Sequence, residues 1–286
     1  MGPRLTLEAG PMRLELAPGL GGAVTALTGA GVPWLRPTPA DAADVLQTAC
    51  FPLVPFANRI AHGRVAFGGR RATLPPNLPG DPHPLHGEGW RGAWTVERAT
   101  RDHAVLAFAS GAGAWPWRYV ARQSFRLDPR GVTIRLEMIN TDAVAAPGGL
   151  GFHPYFPHPD QARLTAQADG IWLTDAEHLP TRHVANGFLA DWRRGAEVAG
   201  ERLIDYCHTG WTGEARIDLG STRLRLTASP ELSYLHVYAP PGEDFFCVEP
   251  VSHRPDALNG PDPVAAGVRV LAPGETLAAE MRIERV

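Results

Sequence analysis

Long apolar runs are missing from this chain. Charges interrupt the hydrophobic residues from the first line onward (MGPRLTLEAGPMRLELAPGL), and no stretch approaches the roughly 20 apolar residues of a membrane helix. Basic blocks are missing too: a net charge of -3 arises from acids and bases scattered along the sequence, with no cluster suited to a run of phosphates. Neither a membrane nor a nucleic acid is therefore an expected partner. Cysteine is scarce. Cys50, Cys207 and Cys247 are widely spaced and odd in number, which fits neither a disulfide framework nor a CxxC metal site. They are expected to be reduced and buried, in a cytoplasmic protein. There is no HExxH segment of the kind that builds a zinc hydrolase, no internal repeat, and no window of a dozen residues with a capped 3.6-residue apolar period.

What is present is alternation. Val132-Thr133-Ile134-Arg135-Leu136-Glu137-Met138 swaps apolar and polar residues at every step, the period of a strand with one buried face. The same period recurs in Arg13 to Leu16, Ala104 to Phe108, Tyr119 to Leu127, Arg223 to Thr227, Leu232 to Ala239 and Glu280 to Glu284. Between them, glycine and proline clusters mark turns: PGLGG (18 to 22), LPPNLPGDPHP (74 to 84), APGG (146 to 149) and APPG (239 to 242). With 44% hydrophobic residues there is enough apolar material for a large core. No linker or composition shift divides the chain, so residues 1–286 are expected to form a single all-β domain, a large antiparallel sandwich.

Five segments carry residues suited to chemistry. His83-Pro84-Leu85-His86-Gly87-Glu88-Gly89-Trp90 is dense in ring nitrogens; a metal reading would use His83 and His86, but Pro84 disfavours a helix and no third ligand is near in sequence. In Gly148-Gly149-Leu150-Gly151-Phe152-His153-Pro154-Tyr155-Phe156 a histidine sits among aromatic rings, which by itself reads as a packed histidine in a bend. Glu249 ends an apolar strand just before Pro250; a carboxylate there is costly without a partner, and an apolar flank raises its pKa toward the range of a general base, although a structural ion pair is the plainer reading. Asn58-Arg59 follows an apolar, proline-rich run and offers amide and guanidinium donors suited to hydrogen-bonding hydroxyls, or to a surface ion pair. Asp205 precedes a Gly-Trp-Thr-Gly turn at 210 to 213 and could accept hydroxyl hydrogen bonds.

Taken in order, PFANRI (55 to 60), LHGEGW (85 to 90), HPYF (153 to 156) and EPVSHRPDALN (249 to 259) resemble the galactose mutarotase-like family, specifically the bacterial aldose 1-epimerases. The resemblance spans most of the chain. It implies a twisted supersandwich of antiparallel strands, a sugar site in a cleft across one sheet, a small-molecule sugar as partner, and no metal or organic cofactor. Carried over by motif, Glu249 would be the general base and His153 the general acid, with His86, Arg59, Asp205 and Asn58 positioning the substrate. The chemistry would be ring opening of a hemiacetal by paired proton transfers, rotation about C1–C2 and reclosure to the other anomer. Pro154 stands where galactose-processing members carry threonine, which leaves the sugar open.

Two other readings remain at this point. An epimerase for a sugar with an anionic C6, phosphorylated or sulfonated, would need extra cations, for which Arg64, Arg70, Arg71, Arg91, Arg118 and Arg254 are available. A non-catalytic sugar-binding protein would keep the cleft without turnover, against which the joint presence of Glu249 and His153 argues. Trp90, Trp172, Tyr155 and Phe156 could offer faces to a pyranose or simply fill the core.

Overall fold

The computed structural model describes residues 3–111, 113–157, 162–187, 191–198 and 200–286. Among these the regular structure is strand, with four three-residue 3-10 helices and no α-helix. Two large antiparallel sheets dominate, one of eleven strands and one of nine. This is the antiparallel sandwich expected from the alternation.

The nine-stranded sheet follows the pattern in the sequence closely. Its middle is Arg223–Ala228, Thr276–Arg285, Gly131–Asn140, Tyr119–Asp128 and His103–Ala109, side by side. Every alternating segment in that sheet lies inside one of these strands. Ala121, Phe125, Ile134, Leu136, Met138, Met281 and Ile283 point inward and are fully buried or nearly so, while the intervening residues are more exposed. Alternation of this kind is what a sheet with one wet face requires. In the other sheet, the segment read as a strand from Leu232 begins at Tyr234.

The eleven-stranded sheet has at its centre, in order, Cys50–Leu53, Gly151–Pro157, Phe245–Val251, Tyr234–Ala239, Ile204–Thr209 and Gly170–Thr174. Gly151–Pro157 and Phe245–Val251 are buried at six of their seven positions each, so they show no alternation at all. One face, with Phe152, Phe156, Leu235, Val237, Phe246 and Val248, belongs to the same apolar layer as the nine-stranded sheet. The opposite face carries Phe51, Tyr155 and Cys247 in a second, smaller cluster beneath loops. Both sides are covered, and it is this second face that supports the site.

Two sequence expectations change here. His153 lies within a strand rather than in a bend. Glu249 lies inside its strand, which runs on through Pro250 to Val251. The three cysteines are buried and unbridged. Among the described residues, no helix is long and apolar enough to cross a membrane.

Candidate active site

The floor of the site follows from strand register. Pairings Phe51↔His153, His236↔Glu249, Cys207↔His236 and Trp172↔Cys207 are direct, and the register Gly151↔Val251 and Tyr155↔Cys247 sets His153 level with Glu249. One row across the sheet therefore reads Phe51, His153, Glu249, His236, Cys207, Trp172. Side chains of directly opposed residues project to the same face. The next row of that face is Tyr155, Cys247, Tyr238, Asp205. Residues from six strands, spread over some two hundred positions of sequence, are brought together by pleat and register alone.

The wall comes from two loops that hold each other. The Asn58 N–H donates to His86 Nδ1 at 3.0 Å, and the His86 N–H donates to the Asn58 carbonyl at 3.0 Å. Both residues have left-handed backbone, φ 56° at Asn58 and φ 59° at His86, a conformation uncommon for residues other than glycine and tolerated best by asparagine, aspartate and histidine. Between them Gly87, at φ 76°, runs so close to Val54 that a Cβ would meet its carbonyl oxygen at 2.3 Å. The remainder of the EPVSHRPDALN segment fixes this wall from behind. His253 Nε2 accepts from the Ala57 N–H at 3.1 Å, the Asp256 N–H donates to the Arg59 carbonyl at 2.9 Å, and Asp256 Oδ1 accepts from the Ala61 N–H at 2.9 Å.

Floor and wall enclose a cavity of about 330 Å³ lined by, among others, Asn58, Arg59, His86, His153, Asp205 and Glu249. All six residues proposed from sequence are thus brought to one place. His153 and Glu249 face each other with Nε2 and Oε1 3.4 Å apart, 6% and 2% exposed respectively. The His153 ring is sandwiched between Phe51 (centroids 4.6 Å) and Tyr155 (4.7 Å), with His86 edge-on at 5.2 Å. Such packing leaves the imidazole few alternative rotamers. Arg59 is held by Asp81, its Nε donating to Oδ2 at 2.8 Å, and its Nη1 lies 3.9 Å from Asp205 Oδ2.

Burial sets the protonation of the central pair in opposite directions. It pushes the Glu249 carboxyl up to about 8, against the pull of the nearby His236 charge. It pushes His153 down to about 3, and the His236 charge adds to that shift. Between these values the pair carries one proton, resting on the carboxyl in the free protein, and such a proton belongs to the pair. The adjustment is far larger than the modest one expected from ordinary histidine and glutamate values. Asp205 behaves differently: although burial opposes it, hydrogen bonds from His178 and His236 and the charge of Arg59 hold it well below the usual carboxylate range.

Sequence reasoning missed His236, His178, Asp81 and Arg36. His236 is 4% exposed and lies 2.6 Å from Asp205 through Nε2, and His178 reaches the other Asp205 oxygen through Nδ1 at 2.9 Å. The alternation Tyr234, His236, Tyr238 on one face of a strand was the available signal. Arg36 lines the cavity with its guanidinium 3.9 Å from the Tyr155 ring centroid and 4.5 Å from that of Phe245. None of Arg64, Arg70, Arg71, Arg91, Arg118 and Arg254 lines it. Arg70 is committed to Asp142 and Arg254 lies over Trp172. Of the four aromatic candidates only Tyr155 lines the cavity; Trp90 and Phe156 are completely buried.

The potential ligand atoms of His86, His153 and Glu249 lie within 4.8 Å of one another, a spacing that a cation could bridge. The donor set does not suit one. His86 Nδ1 uses its lone pair on the Asn58 N–H, so Nε2 of the neutral ring carries the hydrogen and is a donor. The same argument disposes of His83, whose Nδ1 accepts from the His62 N–H at 3.0 Å.

Comparison with known proteins places the chain in a family. The family model for aldose 1-epimerase matches residues 3–284. The chain belongs to the aldose 1-epimerase family. YphB, an uncharacterized protein of Escherichia coli K12, is 33% identical to this family member, with 97% of each chain covered. A crystal structure from the same organism superposes with a TM-score of 0.92 at 31% identity over 99% of both chains. A galactose mutarotase-like protein from Clostridium acetobutylicum shares the fold, with a TM-score of 0.87 at 22% identity over 99% of this chain and 95% of its own.

Proposed function

We propose that this protein interconverts the α and β anomers of an aldose. The observation that carries the reading is the buried carboxyl–imidazole pair, 3.4 Å apart, in an open cavity of monosaccharide size. About 300 Å³ is the lower end of the range of small-molecule sites.

In this reading the anomeric hydroxyl approaches Glu249 and the ring oxygen approaches His153. Sugar binding moves the shared proton from the carboxyl to the imidazole, giving a carboxylate base and an imidazolium acid. Glu249 takes the O1 proton as His153 protonates O5, the C1–O5 bond breaks, and the aldehyde forms. Rotation about C1–C2 presents the other carbonyl face, and reversal of both transfers closes the ring as the opposite anomer. Each positioned proton transfer contributes about 10² to 10⁴-fold. The Nε2–H of His86, the Arg59 guanidinium, the Asn58 amide and the Asp205 carboxylate hold the hydroxyls so that neither transfer waits on diffusion.

A second reading concerns the sugar. Arg36 lines the cavity with its Nη2 donating to the Leu46 and Thr48 carbonyls and with no carboxylate at ion-pairing distance among the described residues, so its positive charge is held in place without a counter-ion, which favours a sugar bearing an anionic group away from C1. The test follows anomer exchange by optical rotation or NMR for freshly dissolved glucose and galactose, then for a hexose 6-phosphate and a 6-sulfonated hexose. Acceleration of any of them supports the epimerase reading, and a preference for the anionic pair supports the second. No acceleration of any sugar, with binding retained, would replace both with a binding-only role.

A further inference from the structure

His236 stands beside Glu249 in the same cross-strand row, on the side away from His153, and lines the same cavity. Its Nε2 is engaged by Asp205 at 2.6 Å, and its Nδ1 is buried, with the Cys207 thiol of the neighbouring strand as a second hydrogen-bonding group beside the ring. Neither nitrogen is free to reach a sugar oxygen, so direct proton donation to substrate is not its part. We propose that His236 is a positioning residue for the acid–base pair: an imidazolium clamped by Asp205, whose fixed charge beside Glu249 favours the carboxylate form that takes the O1 proton. The catalytic consequence rests on the epimerase reading, whereas the charge coupling itself does not.

The surroundings are explicit. From Ile204–Thr209 the groups influencing His236 are Asp205, Cys207 and His208; from Phe245–Val251, Glu249; from Gly151–Pro157, His153; and from the wall, His86, while His178 and Arg59 share the Asp205 carboxylate with it and Arg59 also acts on Glu249. Asp205 keeps the imidazole charged despite burial, which by itself would neutralise it. Cys207 is a buried thiol raised above its ordinary value, so it adds no anion at neutral pH. The cation next to Glu249 then favours the carboxylate, the form that accepts the O1 proton. It equally disfavours a lasting second imidazolium at His153, so that ring takes up the proton only while substrate holds it there. Asp205 thereby acquires a purpose beyond sugar binding, as the counter-ion that keeps His236 charged.

The experiment compares wild type with His236→Gln, which keeps a hydrogen-bonding group of similar reach and removes the charge. Carboxyl ¹³C NMR follows the titration of Glu249 in both, and the pH profile of kcat/KM is recorded in parallel. The expected result is a Glu249 midpoint higher by about 1 to 3 pH units in the variant, the size of shift that a neighbouring charge produces. The alkaline limb of kcat/KM should move with it, and kcat should fall more than KM changes. An unmoved midpoint, or a loss of rate equal at every pH, would overturn the proposal. A moved midpoint in a protein that accelerates no sugar would leave the coupling intact and sink the epimerase reading instead. Should the variant not fold, imidazole ¹⁵N NMR of wild type decides: His236 charged at pH 7 supports the proposal and His236 neutral at pH 7 overturns it.

Discussion

The nine-stranded sheet and the centre of the eleven-stranded sheet are built from the same kind of residue and present opposite sequence patterns. The first has one face on the core and one toward water, so its strands alternate; Gly131–Asn140 is buried at every second position over most of its length. The second is covered on both faces, by the core on one and by loops on the other, so its strands read as unbroken buried runs. A chemical site needs that second cover. Burial is what moves Glu249 and His153 so far from their ordinary values, and an edge open to water would leave both near them. One sheet thus serves as a stabilising backing and the other as a reactive surface.

That division can be tested from both sides. The largest effect is expected for Glu249→Gln, which should reduce anomer exchange by at least about 10²-fold while leaving thermal stability unchanged or raised, because it removes a buried ionisable group. Activity close to wild type in that variant would break the assignment of the reactive surface. The opposite signature is expected for Leu136→Ala in the backing sheet, where Leu136 is 0% exposed. Stability should fall by about 2 to 5 kcal/mol in chemical denaturation, with kcat retained while the protein stays folded. A loss of kcat without loss of stability there would dissolve the comparison.

Smaller effects sharpen it. If the one-proton pair is the working form, kcat/KM should decline about tenfold per pH unit above pH 8, as Glu249 loses the shared proton. A profile still flat at pH 10 would disconnect Glu249 from the rate. Arg36→Leu should cost an anionic sugar about tenfold or more in kcat/KM relative to its neutral counterpart, on the scale of one charge-assisted hydrogen bond. An equal loss for both would make Arg36 a packing residue. The smallest effect is on acid stability. Burial pushes His208 and His253 down to about 4, so the unfolded chain takes up protons first as pH falls. The melting temperature should therefore drop as pH falls from about 6.5 to about 4, and go on falling below that as His153 and the Asp205 carboxylate take up protons in their turn, a trend that scanning calorimetry reads directly.

How much was legible from residues alone follows the same line. The backing sheet was, because Tyr119 to Leu127 and Val132 to Met138 carry a two-residue period that a half-wet strand imposes. The strands bearing His153 and Glu249 were not, because burial on both faces erases the period, and the first was read as a bend and the second as a strand ending at Glu249. The six site residues were named from ordered motifs, which mark where chemistry sits without giving its electrostatics. His236 and His178 escaped notice because neither belongs to those motifs. Arg36 escaped because an isolated arginine carries no local signal, while the arginines that seemed available face elsewhere.

The sequence by itself determined the fold class, through strand period and glycine–proline punctuation, and which residues are candidates for the chemistry. Tertiary structure alone decided which of those groups touch and which are charged. Register across three strands put an imidazole on either side of one carboxyl, and burial beneath the loops, with Asp205 beside one imidazole and not the other, pushes His153 toward its neutral form and His236 toward its cationic one. Both effects depend on residues far apart in the chain, and on the solvent they exclude together, which no local pattern encodes.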